Sequence, residues 1–63
     1  MNYKKMRALR LKSHMTQEEF AMKTGIVQSM VAKIETGEKE PSLRLLRTIA
    51  YALGCKVADL IDE

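Results

Sequence analysis

Residues 16–37, TQEEFAMKTGIVQSMVAKIETG, decide the fold. The stretch opens with a capping box: Thr16 is an N-cap and Glu19 stands three positions later, so each side chain takes the other's backbone N–H. Met15 ahead of the cap and Phe20 at the fourth helical position complete a hydrophobic staple. The helix begun this way is predicted over 17–24. It stops at Gly25, in the position after a helix end where the chain turns left-handed and glycine enters without steric cost. Only Gly25, Ile26 and Val27 precede a second helix, expected over 28–36 and closed by Gly37, with Ile26 placed to staple against Val31. Two short helices joined by so short a turn must cross at a large angle.

Working outward, Tyr3, Met6 and Leu9 recur at helical spacing and predict a first helix from Asn2 or Tyr3 to Lys12. His14 stands at its end where glycine is the usual residue, and histidine is enriched among non-glycine residues at positive φ. On the other side, Glu38 to Glu40 read as a loop. A fourth helix opens either with Pro41 in its first turn or with Ser42 as its cap. Leu43, Leu46, Ile49, Ala50 and Leu53 give that helix a broad apolar face, and Gly54 ends it. Val57, Leu60 and Ile61 mark a last short helix. The expected fold is all-α: five short helices in a single domain over 1–63.

Composition agrees with one small core. A 63-residue chain, 46% hydrophobic and 30% charged, buries only about 60% of the surface its unfolded form exposes. The five methionines fall mostly at core spacing. Cys55 is the lone cysteine, so no internal disulfide forms; it reads as a small buried hydrophobe, and the absence of a staple favours a reducing, cytoplasmic setting. No apolar run approaches the roughly 18 residues of a membrane span, and the basic N-terminus is not a secretory signal. One histidine and one cysteine supply neither a nucleophile–base pair nor a metal set, so no enzyme, metal or cofactor is expected.

The net charge of +3 is unevenly spread. Lys4, Lys5, Arg7, Arg10 and Lys12 all precede the first acid, Glu18, whereas Asp59, Asp62 and Glu63 crowd the far end. Such asymmetry permits an anionic partner without requiring one. A helical wheel says more. With Gln28 at zero and about 100° per residue, Ala32, Thr36, Ser29 and Lys33 fall between about 40° and about 140°, and Met30, Ile34 and Val31 fall at about 200°, about 240° and about 300°. Glu35 borders the apolar arc. The second helix of the pair therefore has a small, polar, acid-free side suited to the edges of DNA bases.

Residues 16–21, 25–29 and 34–37, together with Pro41-Ser42-Leu43 and Ala52-Leu53-Gly54, resemble the phage repressor and Cro type of helix-turn-helix domain. The xenobiotic-response-element-type bacterial regulators belong to the same family. The resemblance runs through nearly the whole chain and implies binding to double-stranded DNA, with residues 28–36 as recognition helix in the major groove. It implies that Gln17, opening the first helix of the pair, binds a phosphate, and that Gln28 pairs with the N6 and N7 edge of an adenine. Ser29 and Lys33 match the other base-facing positions. Thr16, Thr36, Lys39 and Ser42 match phosphate-contacting ones. Arg10 and Glu35 match an internal ion pair.

Two positions depart from the pattern in ways that bear on reading. Val27 stands where a small polar cap is usual, and we expect it to trade capping for contact with a thymine methyl. Ala32 also faces the bases but is too short to hydrogen-bond. Lys56, likewise, replaces the usual cap of the last helix. One recognition helix reads few base pairs, so a homodimer on a palindromic operator is expected, with Leu45, Tyr51 and Ile61 as candidate interface residues; no small-molecule ligand is expected. The alternative use of the same fold is an antitoxin or adaptor that holds another protein.

Overall fold

A computed structural model describes residues 1–61. Asp62 and Glu63 lie outside the described residues, and with them two acids of the C-terminal cluster. Five helices follow in order: α1 (Tyr3–Lys12), α2 (Gln17–Thr24), α3 (Gln28–Glu35), α4 (Leu43–Leu53) and α5 (Val57–Ile61).

The helix starts follow the local chemistry. Asn2 caps α1 by accepting from the Lys5 N–H. Thr16 and Glu19 form both arms of the capping box on α2, at 3.0 and 2.8 Å. Ser42, rather than Pro41, starts α4, its hydroxyl accepting from the Leu45 N–H at 3.2 Å. Lys56 has no side-chain acceptor to offer α5; instead its own backbone N–H donates to Asp59 Oδ2 at 2.9 Å, half of a capping box. Val27 makes no side-chain capping bond to α3.

The helix ends follow equally simple rules. Gly25 and Gly54 are left-handed, and the N–H groups of Gly25 and Ile26 both reach the Ala21 carbonyl, at 2.9 and 3.1 Å. His14 takes φ +61, the one positive value at a non-glycine residue among those described. α3 is one residue shorter than its periodicity predicts: Thr36 is its cap, and the chain leaves through Gly37 at φ +82.

Met6, Phe20, Val31, Ile34, Ile49 and Leu60 are fully buried, so every helix sends at least one side chain into a single core. α2 packs on α3 and α4, α1 on α3 and α5, and α4 on α5. A backbone bond from the Asn2 N–H to the Leu60 carbonyl joins the start of α1 to α5. Met1, Met6, Met15 and Met30 pack in or against the core, as the methionine spacing predicts, whereas Leu43, Met22 and Cys55 lie further out. Leu43 is 59% exposed, because the first turn of α4 overhangs the core that Leu46, Ile49 and Ala50 enter. Met22 is 83% exposed, since α2 turns Phe20, Ala21 and Thr24 inward and leaves its neighbour on the outside. Cys55 is half-buried, packing against the core margin in the turn after Gly54.

Candidate nucleic-acid interface

The site is built on α3, which is anchored from below by Val31 and Ile34 in the core, both all but inaccessible. A third inward residue is charged. Glu35 is buried, and Arg10 of α1 meets it through two bonds: Nε donates to Oε2, and Nη2 donates to Oε1 at 3.1 Å. A bidentate guanidinium–carboxylate pair is the strong form of this interaction. Arg10 Nη1 also donates to the Met15 carbonyl at 2.7 Å, holding the segment that leads into α2. Arg7, largely exposed, stands 3.9 Å from Glu35 and adds a second positive charge nearby. Thus α1 fixes the orientation of α3 through charge as well as apolar packing.

Opposite that buried side, Gln28, Ser29 and Lys33 are exposed and Ala32 is partly so. Val27 is 65% exposed in extended backbone immediately before them. No acid interrupts this face. Lys33 supplies its positive charge, and the carboxylate of α3 is turned to the interior.

The residues matching phosphate positions are not equally equipped. Gln17 occupies the first turn of α2, where the backbone N–H has no intrahelical acceptor and the helix end is positive. The Thr16 and Ser42 hydroxyls accept capping bonds, so each retains its O–H for an anion. Lys39 is exposed in the loop after α3. Thr36 is different. Its hydroxyl donates to the Lys33 carbonyl at 3.0 Å and its backbone N–H to the Ala32 carbonyl at 3.2 Å, leaving acceptors toward solvent. A phosphate, itself an acceptor, meets the least favourable partner there.

Two linked contacts escaped the sequence. Gln28 Nε2 donates to Gln17 Oε1 at 2.6 Å, and Gln17 Nε2 donates to Glu35 Oε1 at 3.1 Å. These partners are 11 and 18 residues apart, beyond the reach of any helical or turn periodicity. Only the docking of α2 on α3 brings them together.

Residues 6–60 match the family described as helix-turn-helix, from Met6 within α1 through most of α5. The chain belongs to that family. Among its helix-turn-helix relatives, an HTH-type transcriptional regulator of Archaeoglobus fulgidus is 39% identical over 56 residues, covering 89% of this chain and 80% of the relative. Control protein C.BamHI of Bacillus amyloliquefaciens is 37% identical over 59 residues, covering 92% of this chain and 73% of its own length. The immunity repressor protein of Bacillus phage phi105 is 34% identical over 59 residues; that match covers 94% of this chain but 41% of the repressor. Among the described residues no helix is long and apolar enough to cross a membrane.

Proposed function

We propose that this chain is a DNA-binding regulator of transcription that inserts α3 into the major groove and reads sequence through Gln28, Ser29, Lys33 and Val27. The observation that carries the reading is the division of α3. Its only carboxylate is buried against Arg10, and its exposed side is polar, acid-free and preceded by an exposed valine. A groove about 12 Å wide accepts such a helix, and its base edges demand that pattern of donors, acceptors and methyl contacts. Gln17, Thr16, Ser42 and Lys39 hold the backbone on either side, with Thr36 the weakest of the set. The names of the relatives, a phage repressor and a control protein among them, agree with a regulatory role.

The regulator acts as a homodimer on a palindromic operator. Two recognition helices one turn of DNA apart, roughly 34 Å, read twice the sequence and gain affinity through effective concentration. Of the three candidates, Tyr51, 90% exposed, and Ile61, more than half exposed, are available for that contact; Leu45 is committed in part to the core.

Selection of bound duplexes from a randomised pool tests the proposal. Recovery of a two-fold symmetric consensus is the expected result. Failure to retain any duplex at low salt would reject DNA reading in favour of a protein-holding adaptor. A consensus without symmetry would reject the dimer alone.

A further inference from the structure

Arg10, Glu35, Gln17 and Gln28 form one hydrogen-bonded line that runs from the interior to the exposed side of α3. Its inner end is rigid: the side chains of Arg10 and Glu35 are 7% and 3% exposed. Its outer end is the residue that faces an adenine in the reading above.

The direction of each bond follows from what each group can do. A carboxylate accepts and cannot donate, so Gln17 must turn its NH2 toward Glu35. That leaves the Gln17 carbonyl oxygen facing Gln28, which must answer with an N–H. Gln28 then presents outward its own Oε1 and the remaining N–H beside it. In that order the edge accepts from adenine N6–H and donates to N7. If Gln17 were reversed, Gln28 would present the same two groups in the opposite order, with an N–H against the N6 amine. Guanine, which carries an acceptor at O6, would then no longer be disfavoured at that position.

We infer that Glu35, held by Arg10, is a positioning residue for sequence reading: acting through Gln17, it sets the amide orientation of Gln28 and thereby favours adenine over guanine at one base pair. This rests on the assignment of α3 as the groove-reading helix and extends it to a buried charge that touches no DNA. An exposed glutamine pair alone has no reason to keep one orientation over its reverse, because each amide donates and accepts at either end. The carboxylate breaks that symmetry.

The test compares base preferences by selection from a randomised double-stranded DNA pool. Wild type defines the consensus, and Gln28→Ala identifies the base pair read by Gln28. Replacing Glu35 alone would strand a buried guanidinium, so the diagnostic variant is Arg10→Met with Glu35→Leu, which exchanges the ion pair for apolar side chains. A second variant, Gln17→Met, cuts the line in its middle and leaves the pair intact. In both, the adenine-to-guanine ratio at the Gln28 pair should fall by at least about fivefold, the low end of what one bidentate contact discriminates. Ratios at the other positions should hold. A merely structural role for Glu35 would weaken all positions together.

An unchanged ratio at the Gln28 pair in the double variant, with a wild-type helical circular dichroism spectrum, would overturn the inference. If the double variant does not fold, an unchanged ratio in Gln17→Met overturns the inference by itself, because the line then passes no orientation to Gln28. A wild-type chain that selects no consensus, or a Gln28→Ala variant with an unaltered one, would sink the underlying base reading and the positioning role with it. Those outcomes are told apart because they arise without any change to Glu35 or Gln17.

Discussion

At the scale of single residues, three side chains carry local costs that the fold tolerates. Val27 caps nothing and exposes its methyls beside the recognition helix. Val27→Ser should stabilise the fold by about 1 kcal/mol through a gained cap. The same change should weaken preference for one A·T pair, which competition between duplexes differing at single positions would reveal; unaltered preference would reject the methyl contact. Glu35 lies at the other extreme. Its truncation to alanine leaves Arg10 buried and unpaired, a loss of about 3–5 kcal/mol. A domain of this length holds a total of about 3–9 kcal/mol, so Glu35→Ala should lose at least about a third of its stability, read as a lowered urea midpoint by circular dichroism. Cys55 is a milder case. Burial pushes its thiol above the ordinary cysteine range, and the charge of Asp59 pushes the same way. The sign is that of an acid whose charged form is disfavoured. At pH 7–8 less thiolate is present than on an unstructured peptide, and alkylation by iodoacetamide should be correspondingly slower until the protein is denatured.

At the scale of elements, the turns set the helix boundaries and differ in what they tolerate. Gly25 and Gly37 have nearly the same φ, +77 and +82, but different surroundings. A Cβ at Gly25 meets nothing within 4 Å, whereas at Gly37 it would lie 2.8 Å from Cε1 of Tyr3. Gly25→Ala should therefore cost only the left-handed strain, about 1–2 kcal/mol. Gly37→Ala should cost more, because the Tyr3 ring at the start of α1 must also move. Urea midpoints of the two variants check the order. Much of this level is legible in sequence: the Thr16 cap, the glycine exits and the strained His14 all act within a few residues of themselves, whereas the choice between Pro41 and Ser42 at the start of α4 needed the structure. Where α3 ends was less legible. Thr36 continues the polar periodicity but sits in the cap, because periodicity reports which side a residue would face and not whether its turn is helical.

At the scale of the whole molecule, affinity depends on how many phosphates the assembled surface neutralises. Among the candidate contacts Lys39 and Lys33 carry charge, while Thr16, Gln17 and Ser42 only hydrogen-bond, so one subunit neutralises about two phosphates and its slope of log affinity against log salt should be about −2. A homodimer on its operator should show about twice that slope in fluorescence anisotropy titrations. A value near the single-subunit figure would mean that one copy binds alone. Substituting Tyr51 with glutamate tests the same surface: its side chain is almost wholly exposed, so the change should leave the melting temperature within a few degrees while reducing operator affinity if Tyr51 lies between subunits.

The sequence by itself determined the five helices, the capping box of α2, the glycine exits and the polar side of the recognition helix, because those signals are local: a capping side chain, a positive φ, a repeat of 3.6 residues. Tertiary structure decided which sides meet. It left Met22 and Leu43 outside, set Tyr3 against Gly37, and joined Arg10, Glu35, Gln17 and Gln28 into one line. Each of those outcomes depends on the angle at which one helix lies across another, and that angle is settled only when all the helices pack around a shared core.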